Sequence, residues 1–381
     1  MNNLQNGSGK GRDAAEALNA LLAGITGPDR EAMAAARQRQ AALAKPPGSL
    51  GKLEELSVRL AGMTGQVCNQ TEKKALLVFC ADNGVVSEGV SGTPQSVTLA
   101  QTINLAHGKT GAAVLAGQFG CEMRVCDVGV NAKILDPAVI PRKIAYGTEN
   151  IAKGPAMTYE QALQAILTGA ELAAQTAKDG VKIIGVGEMG IGNTTTAAAV
   201  LSALTGSPAK DIAGRGSGLT DEAYAKKISV IEEAILRNRP DPLNPVDVLA
   251  KVGGLDIAAM CGAFLGAAKS RVPVVIDGFI SAAAALCAVR LCPNAGNYMI
   301  SSHASSEKGF RIAARALQLS PLLDLDMRLG EGSGCPPAMM LVDAANAVMN
   351  HMATFDEAAI DDSYLEPLRR IDAFTTEEKT R

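Results

Sequence analysis

Residues 75–81, Ala75-Leu76-Leu77-Val78-Phe79-Cys80-Ala81, run directly into Asp82-Asn83-Gly84. The run is wholly apolar, too short for a buried helix, and closed by turn-forming residues. Those features together indicate a strand buried on both faces. The same texture recurs along the chain. Residues 123–128 precede Gly129, 181–186 precede Gly187, 272–276 precede Asp277-Gly278, and 298–300 precede Ser301-Ser302-His303. Helical segments separate these runs; the clearest is 158–179, where Thr158 and Gln161 form a capping box and Gly180 supplies the stop. Strands alternating with helices specify an α/β fold: a mostly parallel sheet with helices on both faces.

The ends of the chain lack strands. Helical patterns occupy 12–23 and 29–44, the second just after Pro28. In Lys45-Pro46-Pro47-Gly48-Ser49-Leu50 the prolines break the chain, after which Leu50, Leu53, Leu56 and Leu60 recur at helical spacing. Residues 336–352 form a further helix. The expected division is a small helical domain from 1–70 with 336–381, and an α/β domain over 71–335. The first ten residues are expected to be disordered and the charged tail from Asp356 to be peripheral.

Composition narrows the function. A chain of 381 residues can bury a sizeable core, and its net charge of −3 gives no electrostatic reason for a nucleic-acid partner. The N-terminus has no apolar stretch of the signal-peptide kind, and Arg290 closes the apolar run 280–289 before it could span a bilayer. The eight Cys residues form no CxxC pair and the three His are far apart. Reduced, mostly buried thiols in a cytoplasmic protein are expected, without a structural zinc site.

In a parallel sheet, ligands bind beyond the carboxyl ends of the strands. Here those ends carry 81–84, 127–130, 185–195, 277–279 and 301–309, all rich in Gly, Ser, Thr, Asp or Asn. Gly185-Val186-Gly187-Glu188-Met189-Gly190 matches GxGxxG, the dinucleotide fingerprint. No clear second strand with an acidic residue follows at the required distance, and Glu188 would repel a pyrophosphate. A turn with one carboxylate, before the helix opened by Asn193, better suits a ligand with a hydroxyl or a positive centre.

The loop from Gly214 to Gly218, containing Gly216, leads into a helix capped by Thr220 that carries Lys226 and Lys227. Its backbone N–H groups could cradle a phosphate, with a lysine as point charge. A plain linker with solvated lysines would look the same. Ser305 to Gly309 offers similar chemistry, and His303 is either a ligand-facing donor or a structural residue. Thr93 and Gln101, in a polar loop and its helix, either line a pocket for a neutral ring or simply serve the cap.

Glu331 stands between Gly330 and Gly332, followed by Gly334 and Pro336-Pro337. This stretch cannot be a helix interior or a central strand. A lone carboxylate held in such a turn suits a general base; a solvated turn glutamate is the bland alternative.

Taken in order, KPPGSLGKLEEL, ADNGV, GVSGTPQSVT, GVGEMGIGNTT, KVGGLDIAAMCG, DGFISAAAAL, SHASSEKG and MRLGEGSG resemble the nicotinate-nucleotide–dimethylbenzimidazole phosphoribosyltransferase family over about 45–352. The resemblance implies a Rossmann-like body with a small helical domain, a homodimer, and no cofactor or metal. It also implies transfer of phosphoribose from nicotinate mononucleotide to 5,6-dimethylbenzimidazole, in cobalamin lower-ligand biosynthesis. By motif, Glu331 matches the family's catalytic base and Glu188 a second active-site glutamate. Gly190 matches a glycine beside the nucleotide, and Lys227 and Ser305 match residues near the phosphoribosyl group. Thr93, Gln101 and Met189 match the base pocket. Gly216, Asp277 and His303 complete the expected substrate-binding set. Three departures bear on the preferred base: Asn83 where many relatives carry His, Thr93 where some carry Ser, and Cys335-Pro336-Pro337 after the Glu331 loop. Two other classes of function compete, a nucleotide-dependent oxidoreductase resting on GxGxxG, and a protein that only sequesters a benzimidazole or nucleotide.

Overall fold

A computed structural model describes residues 9–216 and 218–367. Of the ten residues expected to be disordered, 1–8 lie outside the described residues, as does the end of the charged tail, while Gly9 and Lys10 instead open the helix Gly9–Ala23. The chain divides into two compact units. The first runs through Gly27 and from Lys73 to Ala338; the second runs from Pro28 to Glu72 and from Met339 onward.

The first unit is built on a six-stranded sheet: β1 (Lys74–Ala81), β2 (Cys121–Gly129), β3 (Val139–Pro141), β4 (Ile183–Met189), β5 (Val274–Ile276) and β6 (Met299–Ser301). Its order is β3-β2-β1-β4-β5-β6 and every pair is parallel. All residues of β1 and β4 are buried. Successive side chains point to opposite faces, so both faces of the sheet are covered. The strand order reverses between β1 and β4. That switch point opens a crevice at the carboxyl ends, where Asp82-Asn83-Gly84 and Gly190-Ile191-Gly192 emerge side by side.

Three expectations need correction. The strand placed at 181–186 starts at Ile183, because Val181 N–H still bonds Thr176 O at 3.3 Å at the end of the helix Tyr159–Lys178. It then runs on through Gly187, Glu188 and Met189, which were expected in the turn. β3 was not anticipated: it is short, lies at the sheet edge and ends in Pro141, which an edge strand tolerates. The helix Gly9–Ala23 belongs to the sheet-bearing unit, not to the helical one. It buries Leu18 and Leu21 and packs against the helices Tyr159–Lys178 and Leu255–Lys269. Beyond it, Ile25 O accepts from Asn294 Nδ2 at 3.3 Å and Thr26 O from the Tyr298 hydroxyl at 3.2 Å.

Those two packed helices approach unusually closely. A Cβ on Gly169 would fall 1.8 Å from Ala259 O, and one on Gly262 would fall 1.7 Å from Ile166 O. Glycine at both positions is what lets the backbones touch. The capping box is present: Thr158 Oγ1 accepts from Gln161 N at 3.1 Å, and Gln161 Oε1 from Thr158 N at 2.9 Å.

In the second unit, the helix Arg30–Ala42 is capped by Asp29, whose Oδ1 accepts from Ala32 N at 2.9 Å. Its Ala32 and Ala36 pack with Val58 and Ala61 of the helix Lys52–Thr64 and with Met349 of the helix Cys335–His351. Among the described residues no helix is long and apolar enough to cross a membrane. The cysteines are free thiols, buried except Cys68.

Candidate active site

A cavity of about 680 Å³ opens at the carboxyl ends of the strands, lined by residues following β1, β4, β5 and β6. Glu331, Glu188, Met189, Gly190, Gly216, Asp277, His303 and Ser305 all face it. Residues from five separate stretches of sequence are thus brought to one wall.

Glu331 is the strained residue of the site. Its φ is +61°, between Gly330 at +84° and Gly332 at +80°. For a side chain with a Cβ that backbone costs about 1–2 kcal/mol, and the flanking glycines adopt it freely. The strain turns the carboxylate inward. Glu331 Oε2 accepts from Ala112 N at 3.4 Å, in the first turn of the helix Gly111–Gln118, and Oε1 from Gln101 Nε2 at 3.4 Å. The side chain is 6% exposed yet reaches the cavity.

Asp277 holds this turn. Its Oδ1 accepts from Gly334 N at 2.7 Å and its Oδ2 from Gly332 N at 3.1 Å. Burial pushes its carboxyl up to about 7, against the pull of those backbone N–H groups. Both oxygens therefore accept from the backbone of the turn, and Asp277, expected among the substrate-binding residues, also lines the cavity.

The glycines of the GxGxxG match have a different purpose from phosphate binding. A Cβ on Gly187 would lie 2.4 Å from Gly332 N, and one on Gly185 would lie 2.7 Å from Cys335 Cβ. They let the Glu331 turn press directly on the sheet. Gly190, just past β4, faces Ala81 O at 2.3 Å and Asp256 Oδ2 at 2.8 Å from where its Cβ would stand.

Asp256 is the group that the sequence reading missed. It has no exposed surface, lies on the otherwise apolar helix Leu255–Lys269, and shares the side-chain amide of Asn193 with Glu188. A lone acid in LDIAAMCGAFLGAA was the available signal, since an unpaired charge is seldom buried. Glu188 is 6% exposed. Burial first, and then the Asp256 charge, raise its carboxyl to about 8.

At the other end of the cavity, Gly216 has φ +54°, and its Cβ would stand 3.1 Å from Thr194 Oγ1. Ser217 lies outside the described residues. Lys227 is fully buried behind this loop, not on the cavity wall. Its Nζ donates to Thr194 Oγ1 at 2.8 Å and to Gly214 O at 3.1 Å. Burial lowers the amine to about 8, with Glu307 opposing that shift. Arg215, Glu307 and Arg328 line the same end. Ser305 Oγ accepts from Glu307 N at 3.3 Å. His303 is buried with Nδ1 3.0 Å from Ser302 Oγ, and burial lowers its pKa, favouring the neutral ring.

Gln101 touches Glu331 but is not on the cavity wall, and Thr93 is set back from it. Thr93 N–H donates to Ser91 Oγ at 3.1 Å, and Ser91 does face the cavity. Among the described residues no group of three or more His, Cys, Asp or Glu is arranged to hold a metal ion.

A doubly wound parallel sheet with a carboxylate-lined cavity at its switch point puts the chain in the class of α/β proteins that bind small molecules beyond the carboxyl ends of their strands. A family model described as a phosphoribosyltransferase matches residues 25–360. A nicotinate-nucleotide–dimethylbenzimidazole phosphoribosyltransferase from Clostridium perfringens is 50% identical over 92% of this chain and 98% of its own length. One of the same name from Geobacter metallireducens is 47% identical over 90% and 98%. The crystal structure of that enzyme from Thermus thermophilus superposes with a TM-score of 0.83 at 41% identity, covering 88% of this chain and 100% of the other. The chain belongs to the nicotinate-nucleotide–dimethylbenzimidazole phosphoribosyltransferase family.

Proposed function

We propose that this protein transfers phosphoribose from nicotinate mononucleotide to 5,6-dimethylbenzimidazole, giving α-ribazole 5′-phosphate and nicotinate, as a cytoplasmic, homodimeric enzyme of cobalamin lower-ligand biosynthesis. The observation that carries the reading is Glu331, a carboxylate turned into the cavity by a left-handed backbone, in a chain of this family.

The pyridinium of nicotinate mononucleotide is already an activated leaving group. The unprotonated benzimidazole nitrogen attacks C1′, and the C1′–N bond breaks with its electron pair moving to the departing pyridine nitrogen. Positive charge builds on the incoming ring, and Glu331 takes the proton from its other nitrogen. General-base assistance of this kind contributes about 10²–10⁴-fold, roughly 3–5 kcal/mol of barrier. The remainder comes from holding two small molecules in line.

Gly216, Ser305 and the Lys227 end of the cavity would hold the phosphate. Lys227 supports the loop through Gly214 O and adds positive charge from behind it. Met189 would line the base pocket, with Gln101 acting on it through Glu331 and Thr93 through Ser91. Asp277 would act by fixing the Glu331 turn, and His303 as a neutral wall residue.

The test is to mix the protein with nicotinate mononucleotide and a panel of benzimidazoles and related bases, then identify products by mass spectrometry. Release of nicotinate together with a ribosylated base phosphate is expected. Ligand binding without nicotinate release would show a sequestering protein instead.

A further inference from the structure

Asn193 opens the helix Asn193–Thr205 and is buried. Its side-chain amide has two N–H groups to give, and both go to carboxylates: Glu188 Oε2, and Asp256 Oδ2 at 3.1 Å. Asp256 does not line the cavity. Its Oδ1 accepts from Ile257 N at 3.0 Å in the first turn of its helix, where the aligned peptide dipoles favour an anion. Gly190 and Gly254 clasp it: a Cβ on either would stand within 2.8 Å of one of its oxygens. Glu188 Oε1 faces the other way, 2.7 Å from where a Cβ on Gly330 would be, toward the Glu331 turn. The charged groups facing Glu188 are Asp256, Asp277 and Glu331, all acidic.

We propose that Asp256 is a positioning residue for the reaction: through the shared Asn193 amide it fixes the orientation of Glu188, and as a neighbouring negative charge in a buried site it keeps Glu188 a neutral carboxylic acid, whose free oxygen presents a hydrogen-bond donor to the bound nucleotide while Glu331 serves as the base. This rests on the transferase reading above. Ionising Glu188 would add a further negative charge to a buried cluster of acidic side chains. The retention of a proton on Glu188 up to about 8, against about 6 for Asp256, agrees with this division, Asp256 being the member the helix start holds as an anion. A neutral Glu188 cannot be a nucleophile toward C1′ and cannot stabilise positive charge there; its contribution is orientation.

The test uses infrared spectra of the folded, substrate-free protein as a function of pH. A protonated-carboxyl band absent from Glu188→Gln should persist in wild type above pH 7 and disappear as pH rises past about 8. In Asp256→Asn that band should disappear about one unit or more lower in pH, because a like charge beside it has been removed. Lys227 also titrates near 8, so the alkaline limb of kcat/KM for nicotinate mononucleotide should become shallower in Glu188→Gln, where only that amine remains, and should begin at lower pH in Asp256→Asn. A purely structural role for Asp256 would lower the melting temperature or kcat and leave the limb in place. A band titrating in Asp256→Asn as in wild type, or no Glu188-dependent band in wild type at pH 6, would overturn the proposal. If Asp256→Asn does not fold, an alkaline limb in Glu188→Gln as steep as in wild type would overturn it. The infrared arm needs no turnover, so it decides the proposal even if no transfer activity is found.

Discussion

Glu331 and Lys227 show how unequally single residues announce themselves. The Gly-Glu-Gly turn was legible because glycine on both sides of an acid points to left-handed backbone, and Glu331 does adopt it. Glu331→Gln keeps the volume and an acceptor for the Ala112 N–H but removes the base. Its kcat should fall about 10²-fold or more, with much smaller changes in substrate binding, checked separately because KM need not equal Kd. Activity within about threefold of wild type would remove Glu331 from the base role. Lys227 was legible as a lysine beside a glycine loop, but nothing in the sequence said that it would be buried behind that loop. With its amine near 8 in the free protein, affinity for nicotinate mononucleotide should weaken as pH rises past about 8 while that for dimethylbenzimidazole holds. Lys227→Ala should lose nicotinate mononucleotide affinity already at neutral pH. Equal loss for both ligands by calorimetry would indicate a fold defect instead. Asp256 stood out only as a lone acid in an apolar helix; its role was not legible, because its partners Glu188 and Asn193 come from a distant strand and helix start.

At the scale of elements, the apolar runs located five strands, and the switch-point rule located the cavity. The end of β4 was misread because the glycine at 187 reads locally as a turn. Only the packed structure shows the Glu331 turn occupying the space where side chains would be. Glycine on the helices Tyr159–Lys178 and Leu255–Lys269 is explained the same way, by backbone contact. Gly262→Ala should therefore destabilise the sheet-bearing unit despite improving helix propensity, by about 1–3 kcal/mol or more as the helices are forced apart. Chemical denaturation should show this as a lower midpoint. A midpoint at or above that of wild type would mean that the helix pair is looser than described.

For the whole molecule, the division into two units followed from where strands begin and end, except for the helix Gly9–Ala23. Its amphipathic pattern said that it packs, not on which partner. The buried acids make stability depend on pH. Glu188, Asp277 and Asp256 hold protons in the folded chain up to about 8, 7 and 6, whereas an unfolded chain releases them near 4. Their contribution is complete below about pH 4 and is lost as pH rises toward about 8. Glu188→Gln should thus gain stability over wild type between about pH 5 and pH 8, on the order of 1 kcal/mol or more. An advantage that stays constant across that range would contradict a protonated Glu188. The central claim is direct phosphoribosyl transfer assisted by Glu331, with both substrates held against one C1′. Nicotinate leaves from the β face, so the base must enter from the α face in a single displacement. Nuclear Overhauser contacts across the ribose ring of the product, formed from nicotinate mononucleotide and dimethylbenzimidazole, report this outcome directly. The account predicts an α-linked ribosyl phosphate with one nicotinate released per product; a β-linked product would contradict it and make Glu188 a candidate nucleophile.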